Sequence, residues 1–470
     1  MLTKASDSVA GDFSATYDAD GAVTAEKLPG GYRLAVDTDP TGAVVSRAYT
    51  RDSDGASVYA DTVARSAHGQ VLRHAGWSEQ NYRYDAVGRL SSVDDTVGTL
   101  CTRRSYTFDK RANRTSLTTA TAEAGAACPT TGGTTQNHTY DSYDRITDSG
   151  YTYDALGRTT AAPGNGTIGY YTNDLVRQQT SAGNRQTWSL DALHRFRGWT
   201  LETSADGSTW NETASKLNHY DDDGDNPRWI VENASSGLVT RNVRSASGDL
   251  GATTAKSGET VLQFTSVHGD VALRLPLDAS TAPVALDSDE YGKSRAGQQA
   301  TRYGWLGNHQ RSSETVSSLM LMGVRLYNPD TGRFLSVDPI YGGNENAYEY
   351  CGGDPIGCTD LTGKLRVRWW KPWWSSQYFI RLDLNRSETR WVAFGTGSAA
   401  AFVGWAKDIK WIPATWKHAI TAIRGYLWYF TTVAAYAVAR GKCTSIISGA
   451  MRLGGNVYIP IPPTIWTRRC

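Results

Sequence analysis

Sixteen residues from Val324 to Pro339, "VRLYNPDTGRFLSVDP", hold two arginines, an Asn-Pro-Asp-Thr-Gly run and an Asp-Pro step. A hairpin turn accounts for the Pro and Gly, since Pro fixes φ and Gly supplies positive φ. It does not obviously account for Arg325 and Asp338, so the stretch is either a fold element or a reaction site. Taken alone, Asp338 and the later Asp360 are explained as turn residues, because aspartate in turns, above all before Pro, is ordinary. Five other aspartates, Asp85, Asp109, Asp141, Asp154 and Asp191, recur in similar surroundings and could be metal or catalytic carboxylates. One per turn, each accepting backbone N–H bonds and facing an arginine four residues on, they have a sufficient structural role. After Lys364 the acids are Asp383, Glu388 and Asp408 and the histidine is His418. A metal nuclease, a zinc deaminase or a serine triad needs more such groups converging. No metal and no cofactor are expected, and a metal-free nuclease using His418 with Lys or Arg is the enzymatic alternative for this region.

The elements that must position these residues are strands. The chain has 470 residues with 47 Gly and only 4 Met, a β-rich and turn-rich balance. The segments "YRYDAVGRLSSV" from Tyr82, "YTFDKRANRTSL" from Tyr106, "HTYDSYDRITDS" from His138, "YTYDALGRTTAA" from Tyr151 and "WSLDALHRFRGW" from Trp188 share one pattern. It is aromatic, polar, aromatic or Leu, Asp, three residues, then Arg, with "GYYTNDLVRQQT" from Gly169 a decayed copy marked by Asn173. Alternation before the Asp makes a strand with one aromatic face, and the Asp-to-Arg run makes the turn that reverses it. A lone hairpin cannot hide that face, so the copies must stack side by side into a continuous sheet.

Charge divides the chain. From Leu365 to Cys470 there are 15 Lys/Arg against 3 Asp/Glu, a net of +12, which leaves −11 for residues 1 to 364. Six cysteines fall in three local pairs, Cys101 with Cys128, Cys351 with Cys358 and Cys443 with Cys470. That spacing fits three disulfides and an oxidising, secreted or cell-surface destination; reduced thiols in a cytosolic protein are the alternative. "MLTKASDSVAGDF" lacks the apolar core of a signal peptide, so export implies either a longer parent protein or another route. The basic tail carries ten of the sixteen tryptophans and two uncharged stretches, Trp391 to Ala406 and Gly425 to Ala439. A small α-helical or mixed apolar domain is expected there. Flanked by cations and indoles, its two apolar stretches suit a target-cell membrane; a soluble core built of the same helices is the competing explanation. Arg366, Arg368 and Lys371 with paired tryptophans would also serve nucleic acid, but no recognisable nucleic-acid module accompanies them.

The Tyr-Asp repeats resemble the YD repeats of the bacterial rearrangement-hotspot (RHS) family, related to insecticidal toxin-complex C subunits and to teneurins. "FTSVHGDVALRL" from Phe264 is similar to a strand near the end of that repeat array. "RYGWLGNHQR" from Arg302 and the run from Leu321 to Lys364 resemble the family's repeat-associated core. The resemblance implies a spiralling β-sheet shell over residues 1–300, a closing core over 301–364 and a variable toxin over 365–470. It also implies that the core acts once, as an aspartic protease on its own chain, with Asp338 and Asp360 as the catalytic acids and Arg325 beside them. Two carboxylates sharing a proton can activate water and protonate the carbonyl, while an arginine keeps one ionised. The cut would fall between Lys364 and Leu365. The family has Asp-Pro-x-Gly-Leu here, whereas this chain reads Asp360-Leu361-Thr362-Gly363-Lys364.

The expected function is therefore an RHS-type polymorphic-toxin fragment whose shell carries and releases a cationic, membrane-active effector. An immunity protein bound to the tail is the partner the resemblance implies, and no small-molecule substrate is evident. A non-enzymatic adhesion or scaffold protein with a membrane-anchoring tail is the opposing class.

Overall fold

The computed structural model describes residues 1–364, apart from 41, 68, 296, 299–300 and 340–345, together with the backbone of four strands in the tail. The protein is mainly β; among the described residues the sheets are antiparallel and none closes into a barrel. A 12-stranded sheet runs from Lys4–Asp7 to Thr134–Asn137, and a 13-stranded sheet from Thr152–Tyr153 to Val284–Ala285. Within each sheet, successive strands pair in sequence order, the order that turns between antiparallel strands enforce.

Those turns share one design. Asp85 Oδ1 accepts the N–H groups of Val87 (3.0 Å) and Arg89 (2.9 Å), and Oδ2 accepts Arg89 Nε at 2.7 Å. The same three bonds recur at Asp141, Asp154 and Asp191. The arginine also reaches forward: Arg89 Nη1 donates to Asp109 O (2.8 Å), Arg158 to Tyr171 O (3.0 Å) and Arg195 to Asp222 O (2.6 Å). Each of these arginines pins its own turn to the next one.

Two copies depart from the expected pattern. Four residues after Asp109 stands Asn113, whose Nδ2 donates to Asp109 Oδ2 at 3.0 Å, while Arg114 reaches instead to the Asp330 carbonyl. In the decayed copy the turn is headed by Tyr171 rather than Asn173, because Tyr171 N donates to Leu175 O as Asp85 N does to Arg89 O. Further turns of the same kind, at Asp18, Asp39, Ser66, Ser245, Ser266 and Asp289, lack the arginine four residues on, and only Asp18 follows a tyrosine, but all share a glycine three residues later. Gly21, Gly42, Gly69, Gly88, Gly157, Gly248, Gly269 and Gly292 all hold φ between 79° and 97°. Ala112, Asp144, Asp174 and His194 take that left-handed position in the other copies, at φ 60° to 67°.

The two sheets meet across an apolar core in which Phe13, Leu34, Tyr49 and Tyr59 pack with Leu262, Phe264 and Leu273. Tyr49 stacks on Phe264 with ring centroids 4.2 Å apart, and its hydroxyl accepts the Thr265 N–H at 3.0 Å. Arg47 and Asp249 pair across the same seam at 2.7 Å. The segment after Ala285 leans on both sheets. Tyr291 and Ile356 join Tyr82, Leu90 and Tyr106 of the first, and Leu319, Leu326 and Leu335 join Ile168, Val176 and Trp188 of the second. Its own centre is Trp305, Leu306, Met322, Tyr327, Phe334 and Tyr350.

In the tail, Val367–Trp370, Gln377–Asp383, Cys443–Gly454 and Val457–Arg468 form a four-stranded antiparallel sheet. The last strand includes Pro460, Pro462 and Pro463, which an edge strand tolerates because its outer N–H groups need no ladder partner. The apolar stretches expected as helices, 391–406 and 425–439, lie outside the described residues, as do Leu365, Arg366, Lys371, His418 and the proposed Cys443–Cys470 bridge. No described helix is long and apolar enough to cross a membrane.

Candidate self-cleavage site

The hairpin of Met320–Met322 and Arg325–Asn328 begins the site, and Arg333–Phe334 adds a third strand. The turn between the last two is the Asn-Pro-Asp-Thr-Gly run. Asn328 Oδ1 accepts the Asp330 N–H (3.0 Å), and Gly332 N donates to Asn328 O (2.8 Å). A Cβ at Gly332 would stand 2.6 Å from the Tyr291 ring, so glycine is required for space as well as for its φ of 65°. Arg333 Nη1 donates to Asn113 Oδ1 at 2.7 Å and its guanidinium lies over Tyr140. The turn is thereby tied to the first sheet.

Arg325 points the other way. Its side chain is 1% exposed, with the guanidinium stacked 3.5 Å from the centroid of Phe334. Nη1 donates to Ala347 O at 3.2 Å, and Nη2 donates both to Asp338 Oδ2 (3.0 Å) and to Asp360 Oδ2 (3.1 Å). Asp338 and Asp360, 22 residues apart in sequence, are thus bridged by one nitrogen, and each carboxylate is only 3% exposed. Burial pulls the guanidinium below its usual value against the lift from the two acids. It remains a cation, since an arginine has a wide margin to lose. One buried cation thus faces two buried carboxylates, and a pair of carboxyls is what acid and base work on an amide calls for.

The segment that follows Asp360 is pressed onto this hairpin. Asp360 Oδ1 accepts the Lys364 N–H at 2.9 Å, and Val324 N donates to Thr362 O at 3.1 Å. Two glycines permit the approach: a Cβ on Gly323 would lie 2.3 Å from Thr362 O, and one on Gly363 would lie 2.6 Å from Met322 O. Arg311 clamps the segment from outside, with Nη1 donating to Leu361 O at 2.9 Å while the two Nη atoms grip Asp225 at 2.6 and 2.9 Å. The sequence alone does not mark Arg311, Asp225, Gly323 or Ala347 as site residues. Arg311 ends the "RYGWLGNHQR" motif, but no local pattern ties it to Leu361, and the acidic run at Asp221 to Asp225 carries no spacing signal.

Behind Asp360 the loop is stapled by a disulfide between Cys351 and Cys358, with Cα atoms 5.6 Å apart; Cys101 and Cys128 form a second. His268 braces the same loop, with Nδ1 on Asp270 Oδ1 and Nε2 on Pro355 O, both at 3.0 Å. Both partners are acceptors, so the imidazolium suits the site. Burial opposes that charge, yet the Asp270 carboxylate and the Pro355 carbonyl outweigh it and raise the histidine's pKa. Tyr350 Oη accepts the Asp360 N–H at 3.4 Å, and Tyr348 Oη donates to Gly157 O at 2.6 Å. Among the described residues no group of three or more His, Cys, Asp or Glu has the arrangement of a metal centre.

No protein-family model matches the chain, and no curated protein does. Solved toxin-complex structures do. A crystal structure of TcdB2-TccC3-Cdc42 aligns at a TM-score of 0.59 and 16% identity over 75% of this chain. One of TcdB2-TccC3 without its hypervariable C-terminal region gives 0.58 and 17% over 74%. The Tc holotoxin pore of Photorhabdus luminescens gives 0.56 and 16% over 75%. In each case the chain spans 19% of the length of the matched chain. At this identity the likeness establishes the fold alone: the sheets are built like part of a toxin-complex β structure.

Proposed function

We propose that the protein is an RHS-type polymorphic toxin in which the β sheets form a shell around or beside a C-terminal cargo. A single self-cleavage after Lys364 frees that cargo. The observation that supports this most is the Arg325-bridged pair of Asp338 and Asp360, with Asp360 also holding the backbone of Lys364. One carboxylate takes a proton from water while the other protonates the carbonyl oxygen of Lys364; the first then passes its proton to the leaving amine of Leu365, and the second recovers its own from the gem-diol. Water adds to the carbonyl carbon, the C–N bond breaks, and a new carboxyl and amine result. The toxin-complex likeness of the sheets and the two disulfides support an extracellular setting. The released basic, tryptophan-rich segment is proposed to act on the target-cell membrane, with an immunity protein as its partner in the producing cell.

Intact-mass measurement tests the cleavage: wild type should give two pieces, and Asp338→Asn and Asp360→Asn one. Dye release from anionic vesicles, treated with the cleaved protein and with the uncleaved Asp338→Asn chain, tests the cargo. Release by the cleaved form alone supports a membrane effector, whereas stable vesicle binding without release would point to an anchor.

A further inference from the structure

Beside Lys364 lies a cavity of about 300 Å³ whose lining includes Tyr220, Asp223, Asp225, Val324, Thr362 and Lys364 itself. Its acidic wall is the loop Asp221 to Asp225, and that loop is held independently of the lysine. Arg195 Nη1 donates to the carbonyls of Asp222 (2.6 Å) and Gly224 (3.2 Å), and Arg311 grips both oxygens of Asp225. Asp222 pairs with Arg244, and Asp221 lies near Arg228. Asp225 nevertheless keeps 49% of its side chain exposed, so its outer face is open to a second cation. Two other arginines in the lining are engaged elsewhere, Arg195 by Asp191 and Arg302 by Glu232 and Glu314. The lysine backbone, meanwhile, is fixed by Asp360. Burial pushes the Asp225 carboxyl up, but Arg311 and then Lys364 help hold it below its usual value, so the lysine's charge is felt at this acid.

We infer that the Asp223 and Asp225 wall is a specificity pocket for the residue preceding the cut, and that Lys364 is its matched occupant. Where a leucine at this position would call for an apolar pocket, this chain pairs a cation with acids. The ligand class is a basic side chain, and the pocket contributes register: it seats residue 364 so that the following peptide bond meets the two aspartates.

The inference rests on the self-cleavage proposal, and the test separates the two. The fraction of full-length chain processed at fixed times after synthesis is measured by intact mass. The variants are Lys364→Arg, Lys364→Glu and the isosteric pair Asp223→Asn with Asp225→Asn, alone and combined with Lys364→Glu. Lys364→Arg should process like wild type, and Lys364→Glu at least about tenfold more slowly. The asparagine pair should slow the lysine chain yet speed the Lys364→Glu chain, a reversal that a merely structural role of the loop would not produce. Equal processing of wild type and Lys364→Glu, or slowing by the asparagine pair whatever stands at 364, overturns the pocket and leaves self-cleavage standing. A wild type as uncut as Asp338→Asn overturns self-cleavage and the pocket with it.

Discussion

At Arg325 one guanidinium nitrogen serves two buried carboxylates while the ring of Phe334 covers its face. Removing the cation strands both acids, so Arg325→Met should cost about 3–5 kcal/mol of stability. The same change in an Asp338→Asn, Asp360→Asn background should cost far less, which paired urea titrations would read as a coupling between the sites. His268 makes a pH prediction of definite sign. Its folded pKa is raised by Asp270 and Pro355 against burial and the nearby His74, so its stabilisation is complete below the ordinary histidine value and is lost as pH rises through the folded value. Denaturation of wild type and His268→Gln across pH should show a gap that closes on the alkaline side. At this scale the sequence pointed to Arg325, Asp338 and Asp360 through family resemblance, since nothing in their spacing says that they meet. Arg311 was illegible because its partners, Asp225 and Leu361, lie 86 and 50 residues away.

Turns are the element that decides how far the sheets were readable. Tyr-Asp and a following arginine reveal the copies near Asp85, Asp141, Asp154 and Asp191, where side chains carry the signature. Copies in which Ser66, Ser245 or Ser266 replaces the aspartate fall outside that signature, although the glycine three residues on marks them equally well. The decayed copy is out of register with its apparent marker: Tyr171, not Asn173, heads the turn, and Asp174 three residues on takes the left-handed position at φ 67°. A non-glycine residue pays for that conformation, so Ala112→Gly and His194→Gly should each stabilise by about 1 kcal/mol, measured as a shift in urea midpoint. Gly157→Ala should do the opposite, because its Cβ would approach Tyr348 Oη at 2.8 Å as well as strain the backbone. Gly363→Ala tests a different element. It would push the Thr362 segment off Met322 and should reduce self-cleavage more than it reduces stability.

Across the whole molecule, stacked hairpins were predictable from repetition, but the way the two sheets face each other was not. Contacts such as Tyr49 with Phe264 and Trp77 Nε1 with Ala272 O span about two hundred residues, and local pattern says nothing of them. The disulfides act at this scale, since they limit the unfolded chain. Opening Cys101–Cys128, at a sequence separation of 27, should cost about 3.5 kcal/mol, and Cys351–Cys358, at a separation of 7, about 2.5 kcal/mol. Urea midpoints of the Cys101→Ser, Cys128→Ser and Cys351→Ser, Cys358→Ser pairs would rank them. The acidic body and basic tail, −11 against +12, should keep the two pieces together at low salt even after a cut. The measurement that reaches furthest is therefore made under denaturing conditions, where cut pieces separate: the intact masses and terminal residues of the purified chain. The proposed mechanism predicts one piece ending at Lys364 and one beginning at Leu365, both absent from Asp338→Asn. An unbroken wild-type chain, or the same cut persisting in Asp338→Asn, would contradict it.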